Sequence, residues 1–145
     1  MLCAFLVGCS GNNGSNIVAP SMVGHWKGNA RIIVSWCQHT NLVVELDIRE
    51  NGSVEGTIGD AKLIGGRLKP NRGWLGRKLN LYSDWIIVGN LQGAIVSADG
   101  ITRGGVKIPL EYKNNVIMGG INTSGASWGK NMALTADNLK LVQTK

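Results

Sequence analysis

The chain has 145 residues, of which 43% are hydrophobic and 17% charged, the size of one domain that buries a real core without staples. Fifteen Lys and Arg against nine Asp and Glu give a net charge of +6 and a pI near 9.5, which directs attention to anionic partners. Three cysteines with no CxxC pair, and only two histidines, exclude a disulfide scaffold and a zinc centre of the usual spacing. No segment is long and apolar enough to span a membrane as a helix.

Residues 1–9 carry no charge and end in Leu6-Val7-Gly8-Cys9, after which Ser10-Gly11-Asn12-Asn13-Gly14-Ser15-Asn16 is small and polar, the composition of a flexible tether. The four-residue stretch resembles a bacterial lipobox. The resemblance implies cleavage before Cys9 and acylation of that cysteine, so that residues 1–8 are the remnant of a signal peptide. No Lys or Arg precedes Cys9, although secretory signals usually begin with a basic region; a start upstream of Met1 would supply one. Residues 9–22 are then a tether and 23–145 a single domain. Several acyl chains hold a protein on a bilayer effectively permanently. A coil from Cys9 to Pro20 would hold the domain on the order of 20 Å from it. Ser10 after the cysteine resembles outer-membrane sorting, facing the periplasm. With Cys3 removed and Cys9 acylated, Cys37 has no disulfide partner and reads as a small buried hydrophobe.

Glycine supplies 21 of the residues, too many for a helical protein and suited to turns, bulges and barrel corners. Leu42, Val44, Leu46 and Ile48 alternate with Val43, Glu45, Asp47 and Arg49, the period of a half-buried strand. Asn51-Gly52 follows, the pair favoured in type I′ hairpins, and residues 53–58 alternate again. Further strands are predicted over 26–35, 61–68, 78–82, 85–97, 104–112, 116–122 and 132–142, with turns at Gly59-Asp60, Ala98-Asp99-Gly100 and Asn114-Asn115. Only residues 133–141 leave room for a short helix. The expected fold is all-β, an antiparallel up-and-down barrel of about eight strands with little or no helix.

Just before the first strand, Gly24-His25-Trp26-Lys27-Gly28 is similar to the G-x-W signature that opens lipocalin-like and other calycin barrels. That resemblance implies that Trp26 closes the base of the barrel beneath a basic side chain from near the last strand, for which Lys130 and Lys140 are available. Trp36, Trp74, Trp85 and Trp128 are the other bulky residues that could line a cavity or rim. An eight-stranded barrel holds either packed side chains or one small ligand.

Charge concentrates at residues 67–78, where Arg67, Lys69, Arg72, Arg77 and Lys78 occur with Trp74 and no acid. Pro70 and two glycines make this a loop or irregular hairpin, a basic lobe suited to anionic headgroups, phosphorylated or sulfated glycans, or nucleic-acid phosphates. Catalysis finds no support. Gly125-Ala126-Ser127-Trp128-Gly129 matches the G-x-S-x-G elbow of serine hydrolases, but no histidine follows His39, so the glycines are expected to form a turn. Glu45 and Asp47 share one face with Arg49 and read as solvated charges. His25 and His39 sit in no metal-binding spacing.

The sequence therefore predicts a non-catalytic envelope lipoprotein, without cofactor or metal, whose barrel binds a small apolar or amphiphilic ligand or an anionic envelope component. Two alternatives stand beside it: a cytosolic nucleic-acid-binding barrel of OB type, the less expected, and a structural subunit that assembles through exposed strand edges.

Overall fold

The computed structural model describes residues 18–71, 84–125 and 132–145. Eight strands form a closed barrel in chain order: β1 (Gly24–Ile32), β2 (Asn41–Ile48), β3 (Ser53–Ile58), β4 (Ala61–Pro70), β5 (Trp85–Gln92), β6 (Arg103–Lys113), β7 (Val116–Gly125) and β8 (Ala133–Thr144). Every neighbouring pair is antiparallel, and β1 pairs with β8 to complete the ring. Closure pairs both edges of each of these eight strands. Among the described residues no strand edge is left open for the docking expected of an assembly subunit, and a meander of eight strands differs from the five-stranded Greek key of an OB fold.

Two-residue alternation drives this architecture. Leu42, Val44, Leu46 and Ile48 of β2 are buried, as are Ile87 and Leu91 of β5, Val106, Ile108 and Leu110 of β6, and Leu139 and Leu141 of β8. Residues between them face solvent, Lys140 among them. Glycine permits the tight coiling. A Cβ at Gly28 would overlap the Lys140 carbonyl on β8, and one at Gly56, which sits at φ +144°, would overlap the Glu45 carbonyl on β2.

One end of the barrel is plugged. Pro20–Met22 form a 3-10 turn, and Val18 and Met22 are buried with Trp26, whose indole N–H donates to the Met22 carbonyl at 2.9 Å. Val18 and Met22, expected within the tether, are instead buried against the barrel base. The expected basic cap over Trp26 is not Lys140, which the alternation of β8 turns outward. Tyr112 fills that role, with its ring edge-on to the indole at 6.0 Å and 86°. Lys130 lies outside the described residues.

Turn chemistry is partly exchanged. Gly52 has φ +80° while Asn51 does not have positive φ, and the Gly52 N–H donates to the Arg49 carbonyl at 2.9 Å, so β2 and β3 join through a three-residue turn rather than type I′. Asn114 and Asn115, both at positive φ (52° and 59°), form the I′-like pair between β6 and β7. The run expected to end at Ser97 stops at Gln92, where Gly93 (φ +96°) turns the chain and Ser97–Asp99 form a 3-10 turn. Residues 133–141, left open to a helix, are strand, with Asn138 (φ 51°) accommodating a bulge opposite Asn29 and Arg31. The strand expected over 78–82 lies outside the described residues.

Three surface carboxylates are held below their ordinary range: Glu45 by a hydrogen bond from Lys27, Asp60 by the Ser97 backbone N–H, and Asp137 by the Arg31 guanidinium. Their ionised forms favour the folded state above the ordinary carboxylate range, and that contribution is lost as pH falls through the depressed values. The denaturation midpoint is expected to drop between about pH 5 and pH 3, with a shallower drop in Asp137→Asn. An unchanged slope in that variant would rule out the Arg31 pair as a contributor.

Candidate functional site

Two surfaces carry chemistry, one along the side of the barrel and one at the rim opposite the plug. The first descends from the expected basic lobe. Arg67 and Lys69 alternate outward on β4 between buried Gly66 and Leu68. The register runs Arg67 to Val88 on β5 and Val88 to Lys107 on β6, and Lys62 lies on the same strand as Arg67. Lys62, Arg67, Lys69 and Lys107 are exposed, and none takes part in an ion pair among the described residues. Between them lie exposed Ile64 and half-buried Ile86 and Val88. The surface is therefore basic and apolar together.

The opposite flank is neutralised. Lys27 pairs with Glu45, His25 Nδ1 lies 2.7 Å from Asp47, Arg31 holds Asp137 at 2.6 Å and Arg49 holds Glu55 at 2.8 Å. Glu45 and Asp47 consequently face β1 cations, while Arg49 turns to β3. All nine acids of the chain fall within the described residues, so residues 72–83 hold Arg72, Arg77 and Lys78 with no acid of their own. Those three, with Trp74, lie outside the described residues, as do Cys9, Ser127 and Trp128. Both ends of that connection are placed at the plugged end: Pro70 pairs with Trp85, and the Asn71 N–H donates to the Asp84 carbonyl at 2.9 Å. Val18 is at this end too, beside Gly52, whose carbonyl accepts the Leu68 N–H at 2.8 Å.

At the rim opposite the plug, the partners of Trp36 were not foreseen. Arg103, at the start of β6, sits over the Trp36 ring at 5.2 Å and donates through Nε to the Thr123 hydroxyl at 2.8 Å. Thr123 and Thr135 are fully buried and 2.6 Å apart, and the Thr135 hydroxyl donates to the Ala133 carbonyl at 3.2 Å. Because the Thr135 hydroxyl gives its one proton to the Ala133 carbonyl, the relay has one direction: Thr123 accepts from Arg103 and donates to Thr135. It satisfies the buried hydroxyls and pins the guanidinium.

Beside it, the β1–β2 loop brings Cys37 and His39 to Asp99 of the 3-10 turn after β5. The Cys37 thiol donates to Asp99 Oδ2 at 3.0 Å, and His39 Nδ1 lies 3.8 Å from the same oxygen. Burial pushes the Cys37 thiol up, and its hydrogen bond to Asp99 raises it further, so this is a protonated thiol and not an activated nucleophile. Cys37 is buried as expected, but as a polar partner rather than a mere hydrophobe. Asp60 latches the loops: its carboxylate accepts the Ser97 N–H at 2.8 Å, and its own N–H donates to the Ile95 carbonyl at 3.0 Å. A rim pocket of about 310 Å³ opens beside His39, Asp60 and Ala98. Cys37-Gln38-His39 was the available local signal, but Asp99 lies 62 positions away and no spacing rule connects them.

Compared with known protein families, curated proteins and solved structures, the chain matches none of them.

Proposed function

We propose that this chain is a non-catalytic, lipocalin-like envelope lipoprotein, anchored through acylated Cys9 to the outer membrane and facing the periplasm, whose barrel flank binds an anionic envelope component. The observation that carries the reading is the row of four unpaired cations, Lys62, Arg67, Lys69 and Lys107, on one flank of β4 to β6. It continues toward the end where Val18 enters and where the connection bearing Arg72, Arg77 and Lys78 leaves. A tether rising from an acylated Cys9 meets the barrel at that end, which favours turning the basic flank toward headgroups. Exposed Ile64 and the half-buried Ile86 and Val88 suit a lipid surface, where basic stems cover apolar area while their heads stay in the headgroup layer.

An apolar ligand inside the barrel is less well supported. Inward positions on all eight strands carry buried, mostly branched apolar side chains, from Ile32 on β1 to Leu141 on β8, the arrangement of a barrel filled by its own residues.

The anchor is tested by metabolic labelling with a clickable fatty acid. The wild-type chain is expected to take up label and Cys9→Ala to take up none. Absence of label from both would remove the lipoprotein reading, whereas the charged flank is tested separately on unacylated protein.

A further inference from the structure

Cys37, His39 and Asp99 converge in a way that the basic flank does not use, and their chemistry is independent of the reading above. One ligating atom from each, the thiol sulfur, an imidazole nitrogen and a carboxylate oxygen, lies within 4.8 Å of the other two. A tetrahedral zinc ion has bonds of about 2.0–2.3 Å to such atoms, which sets the ligands roughly 3.3–3.7 Å from one another. Two of the three separations, at 3.0 and 3.8 Å, bracket that spacing. The third closes by rotation of His39, whose side chain is 55% exposed and free to turn.

We propose that Cys37, His39 and Asp99 form a three-ligand site for a borderline-soft divalent cation, zinc foremost, at the barrel rim opposite the plug. Sulfur and imidazole together select against magnesium and calcium, which take oxygen ligands. Binding replaces the proton that the thiol now shares with Asp99: the sulfur becomes a thiolate, the proton leaves to solvent, and the metal takes its place between sulfur and carboxylate. The frame is fixed before any metal arrives. Ile32 N–H donates to the Thr40 carbonyl at 2.9 Å at the base of the loop holding Cys37 and His39, and Asp60 fastens the turn that presents Asp99. Gly100, at φ +63°, ends that turn directly after Asp99. Three protein ligands leave one position of a tetrahedral ion to water or a small anion, and His39 borders the 310 Å³ rim pocket.

The test uses the full chain carrying Cys3→Ala and Cys9→Ala, so that Cys37 is the sole thiol. Calorimetry with zinc is expected to give one equivalent, and cobalt is expected to give a thiolate-to-metal charge-transfer band in the near ultraviolet. His39→Ala, at an exposed position that does not threaten folding, is expected to weaken zinc binding by more than about 100-fold and to alter the cobalt spectrum. Asp99→Asn should weaken it likewise. His25→Ala removes the other exposed imidazole, which lies near Glu45 and Asp47, and is expected to leave binding unchanged. The proposal is overturned if no thiolate band appears, or if His39→Ala leaves zinc binding undiminished.

Discussion

Trp26→Ala is expected to lower the unfolding free energy by about 3–5 kcal/mol, the cost of emptying a fully buried aromatic site. Trp26 has no exposed surface, and at the plugged end Met22 is joined to its indole and Tyr112 lies edge-on to its ring. Truncation removes the indole's buried area, strands the Met22 carbonyl and releases the turn that carries Val18 and Met22 over the core. Against a typical domain stability of about 5–15 kcal/mol, the variant should sit near the folding threshold. Trp26→Phe separates the contributions: it retains most of the ring and loses the hydrogen bond, at a cost of about 1–3 kcal/mol where the carbonyl stays buried. Lys140→Ala supplies the control, since an outward lysine should change stability by no more than about 0.5 kcal/mol. Urea denaturation of the three variants checks the series. A large loss in Lys140→Ala with a small one in Trp26→Ala would restore the basic cap and displace Tyr112.

Trp26 also shows how far the sequence is legible. The resemblance of Gly24-His25-Trp26 to a G-x-W signature implied a closing residue there, and the structure buries Trp26 at the start of β1. Its partner was hidden. Tyr112 is 86 positions away in a strand whose register follows from barrel closure, and nothing local to either residue states that they meet. The strands themselves were readable where apolar and polar residues alternate, as in β2, and their ends were less so, because single glycines at positive φ decide them. Gly93 (φ +96°) ends β5 inside a run in which apolar residues resume at Ala94, Ile95 and Val96. Asn51-Gly52 and Asn114-Asn115 differ for a related reason: which dipeptide becomes the two-residue turn depends on strand lengths that neighbouring strands impose.

The charged flank was half legible. Five cations within residues 67–78 are plain in the sequence and Lys62 lies on the same strand as Arg67, whereas Lys107 joins them only through β-sheet register across β5. Their lack of ion pairs is equally non-local, since Lys27 and His25 of β1 take up the β2 acids Glu45 and Asp47, and Arg49 takes up Glu55 of β3. At the rim, His39 and buried Cys37 looked inert because metal spacing was sought along the chain. The loop after β5 supplies the missing carboxylate from a different part of the sequence.

Neutralising the flank is expected to abolish most binding to anionic bilayers while leaving the fold intact. Each Lys or Arg near an anionic surface contributes roughly 1 kcal/mol, about fivefold in affinity. The combination of Lys62→Gln, Arg67→Gln, Lys69→Gln and Lys107→Gln should therefore weaken binding several hundredfold, roughly the product of four such factors. The four side chains are exposed and unpaired among the described residues, so their neutralisation frees no buried partner and should leave the thermal midpoint close to that of the parent. The measurement uses the Cys9→Ala chain, because acyl chains would hold the protein on any vesicle and mask the electrostatic contribution. Vesicles of phosphatidylcholine with and without phosphatidylglycerol separate charge from lipid contact. Binding to the anionic vesicles should fall steeply as salt rises from 0.1 M, where the screening length is about 10 Å, toward 1 M, where it is about 3 Å. Lys27→Gln with Lys140→Gln, on β1 and β8, removes positive charge from outside the flank and is expected to change affinity by less than about fivefold. Equal losses in the two sets would assign binding to net charge alone, and equal binding to neutral vesicles would exclude headgroup charge altogether.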